Sequence, residues 1–227
     1  MQSTQIDQRV SLAVSTVVFA LRPHPRTGHD TLWLPLVRRI REPYEGAWAL
    51  PGGPLESDED LAASARNTLE RTTGLTTNYL EQLYSFGEVD RSPADRVVSI
   101  VYWALVRPDE AARAVDGENV EWFVADEVPE LAFDHNRIVE YALGRLRAKI
   151  TYSPIAHAFL NPEFTLAELR EVHEAVLRKP LDPANFRRQV LASNTVVPTG
   201  TCVTGTSHRP PALYRFDPAS TTTRERP

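Results

Sequence analysis

Apolar positions along the chain fall into two rhythms. From Val10 to Leu21 a dense β-branched run, centred on Val14-Ser-Thr-Val-Val-Phe19, predicts a buried strand. Pro23, Pro25 and Gly28 break it, and Thr31–Arg38 predicts a second strand in which Pro35 suggests an edge or a bulge. A loop with Pro43 and Gly46 leads to the glycine pair Gly52-Gly53, read as a loop. The period then becomes helical. Ser57 or Asp58 suits the N-cap, Leu61, Ala65 and Leu69 recur on one face, and Gly74 suits the closing C′ position after about Thr72. Strands follow at about Tyr79–Gly87, Arg96–Val106 and Val120–Ala125. The run Val97–Val106 is the most apolar and is expected at the centre of a sheet. Asp109–Val115 is a candidate short helix. A long helix from about Asn136 to Lys149 places Ile138, Tyr141, Ala142 and Leu146 on one face. Strands interleaved with two main helices predict an α+β sandwich over residues 10–150.

After Ile150 the texture changes. Thr165 begins a helix with Leu166, Leu169, Val172, Val176 and Leu177 on one side. The connector Arg178-Lys-Pro-Leu-Asp-Pro183 is tight; Asp182 suits a cap and Pro183 the first helical position. The next helix, to about Ala192, turns Phe186 and Val190 inward and Asn185, Arg187, Arg188 and Gln189 largely outward. Two β-like pieces, Asn194–Thr199 and Ala212–Phe216, flank a Gly/Thr/Ser/Pro-rich segment. Helix, short turn, polar-basic helix and β-ribbon is the order of a winged helix-turn-helix. The expected organisation is a flexible start at 1–9, one domain over 10–150, a winged helix over 151–216 and a frayed tail over 217–227.

Composition narrows the class. The 227 residues are 42% hydrophobic and 24% charged, ordinary for a globular protein. No apolar run reaches bilayer length, and the first residues lack the basic start and apolar core of a signal peptide. Cys202 is the single cysteine, which excludes an internal disulfide and a cysteine zinc cluster. A cytoplasmic location and no membrane contact are expected. Residues 151–227 carry 9 Lys and Arg against 7 Asp and Glu, while residues 1–150 carry 16 against 23. This asymmetry points to two domains with different partners.

The candidate chemistry lies between Trp48 and Leu75. Gly53, Glu59, Leu69, Gly74 and Leu75, with the entry Trp48-Ala-Leu-Pro-Gly-Gly, stand at the spacing of the Nudix box, and the stretch resembles that family. The resemblance implies a Nudix-like sandwich. In that family, carboxylates three and four residues apart share a helix face and hold Mg²⁺. Here the box's Arg-Glu falls on Asn67-Thr68 and its Glu-Glu on Arg71-Thr72, so the face carries Thr68, Arg71 and Thr72. Catalytic residues, a metal and a cofactor are therefore not expected, and hydrolase activity is expected to be lost. A pocket without its metal still suits a nucleoside diphosphate. Arg38, Arg39, Arg91 and Arg96 suit its phosphates, with Gly53 and the neighbouring glycine-loop amides as further donors. Trp48, Tyr84, Phe86 and Tyr102 suit stacking on a base. The plain alternative for each is a surface charge or a core aromatic.

A second resemblance rests on Phe133-Asp134-His135, Arg145-Leu-Arg147, Tyr152-Ser-Pro-Ile-Ala156, Phe164–Leu169 and Asn185-Phe-Arg-Arg188. With the altered box, these are similar to the Nudix-related transcriptional regulators of NAD metabolism, over roughly residues 10–216. That implies a homodimeric repressor of NAD synthesis or salvage genes, in which the Nudix-like domain senses ADP-ribose or a related nucleotide and the winged helix binds double-stranded operator DNA. Independently of the resemblance, Asn185, Arg187, Arg188 and Gln189 suit major-groove edges and phosphates, and Lys179 suits a backbone contact. Thr165 suits a helix cap or a phosphate contact. Thr204, Ser207, His208 and Arg209 suit backbone or minor-groove contact from the ribbon, against the plain reading of a polar loop. His135 reads as a structural hydrogen-bonding residue. The rival function is a metal-dependent ADP-ribose pyrophosphatase.

Overall fold

The computed structural model describes residues 9–77, 79–112, 119–203 and 210–220. In chain order these form β1 (Ser11–Pro23), β2 (Asp30–Arg38), β3 (Trp48–Ala49), β4 (Gly52–Pro54), α1 (Leu61–Thr73), β5 (Tyr79–Phe86), β6 (Val97–Val106), α2 (Pro108–Ala111), β7 (Val120–Val124), α3 (His135–Lys149), a 3-10 turn (Pro154–Phe159), α4 (Leu166–Leu177), α5 (Pro183–Ser193), β8 (Val196–Cys202) and β9 (Ala212–Phe216). The chain therefore folds as an α+β Nudix-like sandwich followed by a winged helix-turn-helix.

A seven-stranded sheet runs in the order β3-β2-β1-β6-β5, with β4 added to β1 and β7 to β2. β1 and β6 pair in parallel from Ser11↔Val97 to Ala20↔Val106, while the other ladders are antiparallel. Both central strands are covered on both faces, which is why their sequences read as unbroken apolar runs. Val17 and Phe19 of β1, with Val101, Trp103 and Leu105 of β6, meet Ile138, Ala142 and Leu146 of α3 and Leu169, Val172 and Val176 of α4. The alternate residues, Val14, Val18, Ala20, Ile100 and Ala104, face Ala65, Leu69 and Leu75 of α1 and its exit. α4 thus belongs by sequence to the second half but lies on the sheet of the first. Ile150, where the boundary was placed, is itself buried at 2% exposure.

Several local expectations change. The N-cap of α1 is Asp60, whose side chain accepts from the Ala63 N–H at 2.8 Å, so the helix begins later than Ser57 or Asp58 would place it. Gly74 closes it at φ 67°, as its lack of a Cβ allows. Pro35 pairs with Trp122 of β7 and lies beyond Trp33, where the β1–β2 ladder ends, so on the β1 side it stands at a local edge and no β1 carbonyl is left waiting for its absent N–H. The glycine pair is strand rather than loop: Gly52 and Gly53 pair with Ser15 and Val14. Tyr141 is 37% exposed instead of inward, because it joins Tyr84 and Phe86 in an aromatic cluster at the rim of the sheet. The short helix α2 spans Pro108–Ala111; residues 113–115 of the expected helix lie outside the described residues. Among the described residues, no helix is long and apolar enough to cross a membrane.

The second half stands on its own caps. Thr165 and Glu168 form a capping box at the start of α4, and Asp182 caps α5 by accepting from the Asn185 N–H at 2.8 Å. β8 and β9 form a two-stranded ribbon. It is stitched to the start of α4 by two backbone bonds between Phe164 and Tyr214, at 2.9 and 2.8 Å.

Candidate functional site: an arginine–aromatic nest and an exposed polar helix

Register brings Arg38 directly beside Trp48 on neighbouring strands. Trp48 then bridges to Leu131, and its carbonyl takes the Ala132 N–H at 2.8 Å, which carries the chain into Phe133-Asp134-His135. Phe133 is held at φ 57°, an unfavourable conformation for a bulky residue. That geometry sets its ring 4.7 Å from the Arg39 guanidinium and 4.9 Å from the Tyr44 ring. Arg39 Nε also donates to the Pro43 carbonyl at 2.7 Å. Arg38 is exposed, with Nε donating to the Gly46 carbonyl at 3.2 Å. Partial burial lowers the pKa of Arg39 against the opposing pull of Glu42, and the group stays cationic.

Behind this nest, His135 is buried, and its Nδ1 accepts the Leu50 N–H at 3.0 Å. Burial pushes its pKa down to about 4, so the ring is neutral with the proton on Nε2. The bond anchors the residue that enters Pro51-Gly52-Gly53. A Cβ on Gly52 would stand 2.9 Å from the Val14 carbonyl oxygen and 2.8 Å from Ser15 Oγ, whereas one on Gly53 meets nothing within 4 Å. Gly52 lets the backbone lie against β1, and Gly53 leaves a surface open to approach.

The other two arginines are engaged within the protein. Arg91 is buried and holds Asp134 through Nε at 3.0 Å and Nη2 at 2.7 Å. Arg96 donates to the carbonyls of Gly87, Glu88 and Val97 at 2.8, 3.2 and 3.2 Å. Of the aromatics, Phe86 and Tyr102 are core residues at 7% exposure, Tyr84 is exposed and Trp48 is half-buried against Phe123. The structure thus gathers Arg38, Arg39, Trp48 and the Asp134 partner Arg91 around residues 131–135. Phe133 and Tyr44 are members of the nest that sequence reasoning left out; the Phe-Asp-His motif was a signal for Phe133, and Tyr44 had none.

The box face of α1 is self-contained. Thr68 is buried, Thr72 Oγ1 donates to the Thr68 carbonyl at 2.6 Å, and Arg71 Nη2 donates to Thr68 Oγ1 at 3.4 Å. Glu59 accepts from Asn67 at 2.8 Å. Two hydroxyls and a guanidinium do not fit a hard dication that requires anionic oxygen ligands.

In the second half, Asn185, Arg187, Arg188 and Gln189 are all exposed on α5, with Phe186 the residue that anchors the helix inward. Arg188 donates to Asn185 Oδ1 at 2.6 Å, which orients both side chains. Lys179 is exposed in the turn before α5. Thr165 is buried; its hydroxyl accepts the Glu168 N–H at 3.1 Å and donates to Glu168 Oε2 at 2.9 Å, so the structure gives it the cap role and leaves no free hydroxyl for a phosphate. Thr204, Ser207, His208 and Arg209 lie outside the described residues.

A Nudix-type sandwich joined to a winged helix is the class that this geometry defines. The chain matches the NUDIX domain over residues 13–142 and the NrtR DNA-binding winged helix domain over residues 156–216. It is 34% identical over 186 residues, 80% of this chain and 74% of the other, to the ADPR responsive transcriptional repressor NtrR of Acinetobacter baylyi. It is 32% identical over 105 residues, 46% and 62% of the two chains, to the ADP-ribose pyrophosphatase of Methanocaldococcus jannaschii. The crystal structure of Shewanella oneidensis NrtR complexed with a 27mer DNA superposes with a TM-score of 0.77 at 32% identity, covering 93% of this chain and 95% of that one. The NUDIX domain of the same protein complexed with ADP ribose superposes with a TM-score of 0.52 at 29% identity, covering 64% and 94%. The chain belongs to the Nudix family, and within it to the NrtR group of transcriptional regulators, which adds a DNA-binding winged helix to the Nudix domain.

Proposed function

We propose that the protein is a homodimeric, cytoplasmic transcriptional repressor of NAD synthesis or salvage genes that responds to ADP-ribose or a related NAD-derived nucleotide. The observation that carries this reading is the exposed polar face of α5, Asn185, Arg187, Arg188 and Gln189, presented by a capped helix pair and a ribbon. Asn185 and Gln189 suit adenine edges, and the two arginines suit guanine or phosphate. Lys179 adds a backbone contact, and Ser207, His208 and Arg209 are candidates for further contacts to DNA. Support for DNA as partner comes from the Shewanella relative, which was crystallised on a 27mer.

The nucleotide is assigned to the nest: Arg38 and Arg39 on the diphosphate, Trp48 beside the base, and the open backbone at Gly53 allowing close approach. Arg91 and Arg96 act here by holding residues 87–97 and Asp134 in place. With Thr68, Arg71 and Thr72 on the box face, the protein binds the nucleotide without hydrolysing it. The ligand acts on DNA affinity by preferring one geometry of the winged helices over another.

Fluorescence anisotropy on promoter DNA of NAD genes, with and without ADP-ribose or NAD, tests the reading. Sequence-selective binding that weakens with salt and changes with one of these nucleotides is expected. Absence of such binding, or chelator-sensitive release of AMP from ADP-ribose in Mg²⁺, would favour the pyrophosphatase suggested by the Methanocaldococcus relative.

A further inference from the structure

A cavity of about 590 Å³ opens between the end of α3, α4 and α5. Its size is that of a small-molecule site. None of Arg38, Arg39, Trp48 or Gly53 lines it, so it is separate from the nest. Its inner wall is apolar and aromatic, with Phe164, Leu169, Phe186, Val190 and Phe216. Two imidazoles share that wall. His157 lies flat on Phe216, centroids 3.9 Å apart and planes 1° apart, and its Nδ1 is bonded to the Pro154 carbonyl. His173 stands edge-on to Phe186 at 5.2 Å. Burial lowers the pKa of both, that of His173 to about 4, so each ring is neutral; His173 offers one donor and one acceptor, while His157, its Nδ1–H given to the Pro154 carbonyl, offers only the Nε2 acceptor. Among the described residues, the His173 ring has no hydrogen-bond or charged partner.

The cavity matters because of what hangs over it. α5 is suspended between two left-handed residues, Arg178 before its connector and Asn194 after it, both at φ 55°. Its buried anchor is Phe186, which also walls the cavity, and Asn185 and Gln189 reach the mouth. Lys179 lines the mouth as a cation with no carboxylate partner among the described residues, whereas Lys149 is held by Glu81 and Asp182 by its capping bond.

We propose that this cavity is a second small-molecule site, which takes a planar aromatic acid: the ring between Phe186 and Phe216, a ring hydrogen-bonding atom on His173 and the acid toward Lys179. Its occupancy fixes the position of α5 against α4. The site does not rest on α5 reading DNA, though it shares Lys179 with the proposed DNA contacts.

The test uses the full-length protein and 1-anilinonaphthalene-8-sulfonate, an aromatic anion that carries a planar naphthalene ring, as the probe. One equivalent is expected to bind saturably and to slow amide hydrogen exchange across residues 183–193. Val190→Trp, which fills the cavity from α5, is expected to weaken probe binding at least ~tenfold, and His173→Leu about fivefold. Tyr84→Ser, in the separate exposed aromatic cluster with Tyr141, is expected to leave it unchanged. Circular dichroism confirms that each variant is folded, and His173→Leu carries the test should Val190→Trp fail to fold. Absence of saturable binding, wild-type affinity in the folded cavity variants, loss in Tyr84→Ser, or unchanged exchange across 183–193 would each overturn the proposal.

Discussion

Arg147 Nη2 sits between both carboxylate oxygens of Asp126, at 2.8 and 2.7 Å, while its Nε donates to the Val176 carbonyl at 3.1 Å. Asp126 follows β7, Arg147 lies on α3 and Val176 is in the last turn of α4. Asp126 also meets Arg178, the left-handed cap of α4, at 3.6 Å. One carboxylate thereby ties the sheet of the Nudix half to the hinge that leads into α5. Asp126→Asn should lower stability by about 1–2 kcal/mol, less than a fully buried pair because both side chains are partly exposed. Urea unfolding reads this. The same variant should shrink the effect of ADP-ribose on DNA affinity while leaving nucleotide binding near wild type, as paired titrations would show.

Acid should destabilise the protein below neutral pH through two histidines. His135 and His173 both fall from 6.5 to about 4 on folding. Their folded pKa values are depressed, so the unfolded chain takes up protons first. The stability is full above about pH 6.5 and is lost as pH falls toward 4. Each group contributes on the order of 1–3 kcal/mol across that window. Urea midpoints at pH 7.5, 6 and 5 should decline, and His173→Phe should flatten part of the decline. A midpoint independent of pH across this range would contradict the assignment.

The two glycines of the box entry should answer differently to alanine. Gly52→Ala forces a Cβ to within 2.9 Å of a backbone carbonyl, and should cost about 1–3 kcal/mol. Gly53→Ala meets no neighbour and should change stability by less than about 0.5 kcal/mol. A drop in ADP-ribose affinity for Gly53→Ala, measured by calorimetry, would then report ligand approach rather than folding.

Thr165 separates a cap from a DNA contact. Thr165→Ala removes the side-chain half of the capping box and should destabilise by about 1 kcal/mol. Thr165→Ser keeps the hydroxyl and should restore most of it. Salt dependence of DNA binding in Thr165→Ser should match wild type, whereas Arg187→Ala should lower the slope of log K against log salt by about 1. An unaltered slope for Arg187→Ala would remove that side chain from the phosphate contacts.

Much of this molecule was legible locally. The apolar runs at Val14–Phe19 and Val97–Val106, the Leu61/Ala65/Leu69 spacing, Gly74 and the Asp182-Pro183 start each specify an element from within a few neighbouring residues, because period, caps and turn residues act at short range. The residues on the box face of α1 were legible too, since Thr68, Arg71 and Thr72 share a face by helical geometry alone. Tertiary structure decided the rest. It spent Arg91 on Asp134 and Arg96 on backbone carbonyls, left Arg38 and Arg39 beside Phe133, gave Thr165 to its cap, laid α4 on the sheet and opened the space beneath α5. Some of those outcomes depend on partners forty or more residues away, as Asp134 is from Arg91; others, the Thr165 cap and the Arg96 carbonyl bonds, use near neighbours and turn on which of several local partners the folded chain presents. A sequence names the charge on a side chain, but burial and long-range pairing determine whether that charge is still free to meet a ligand.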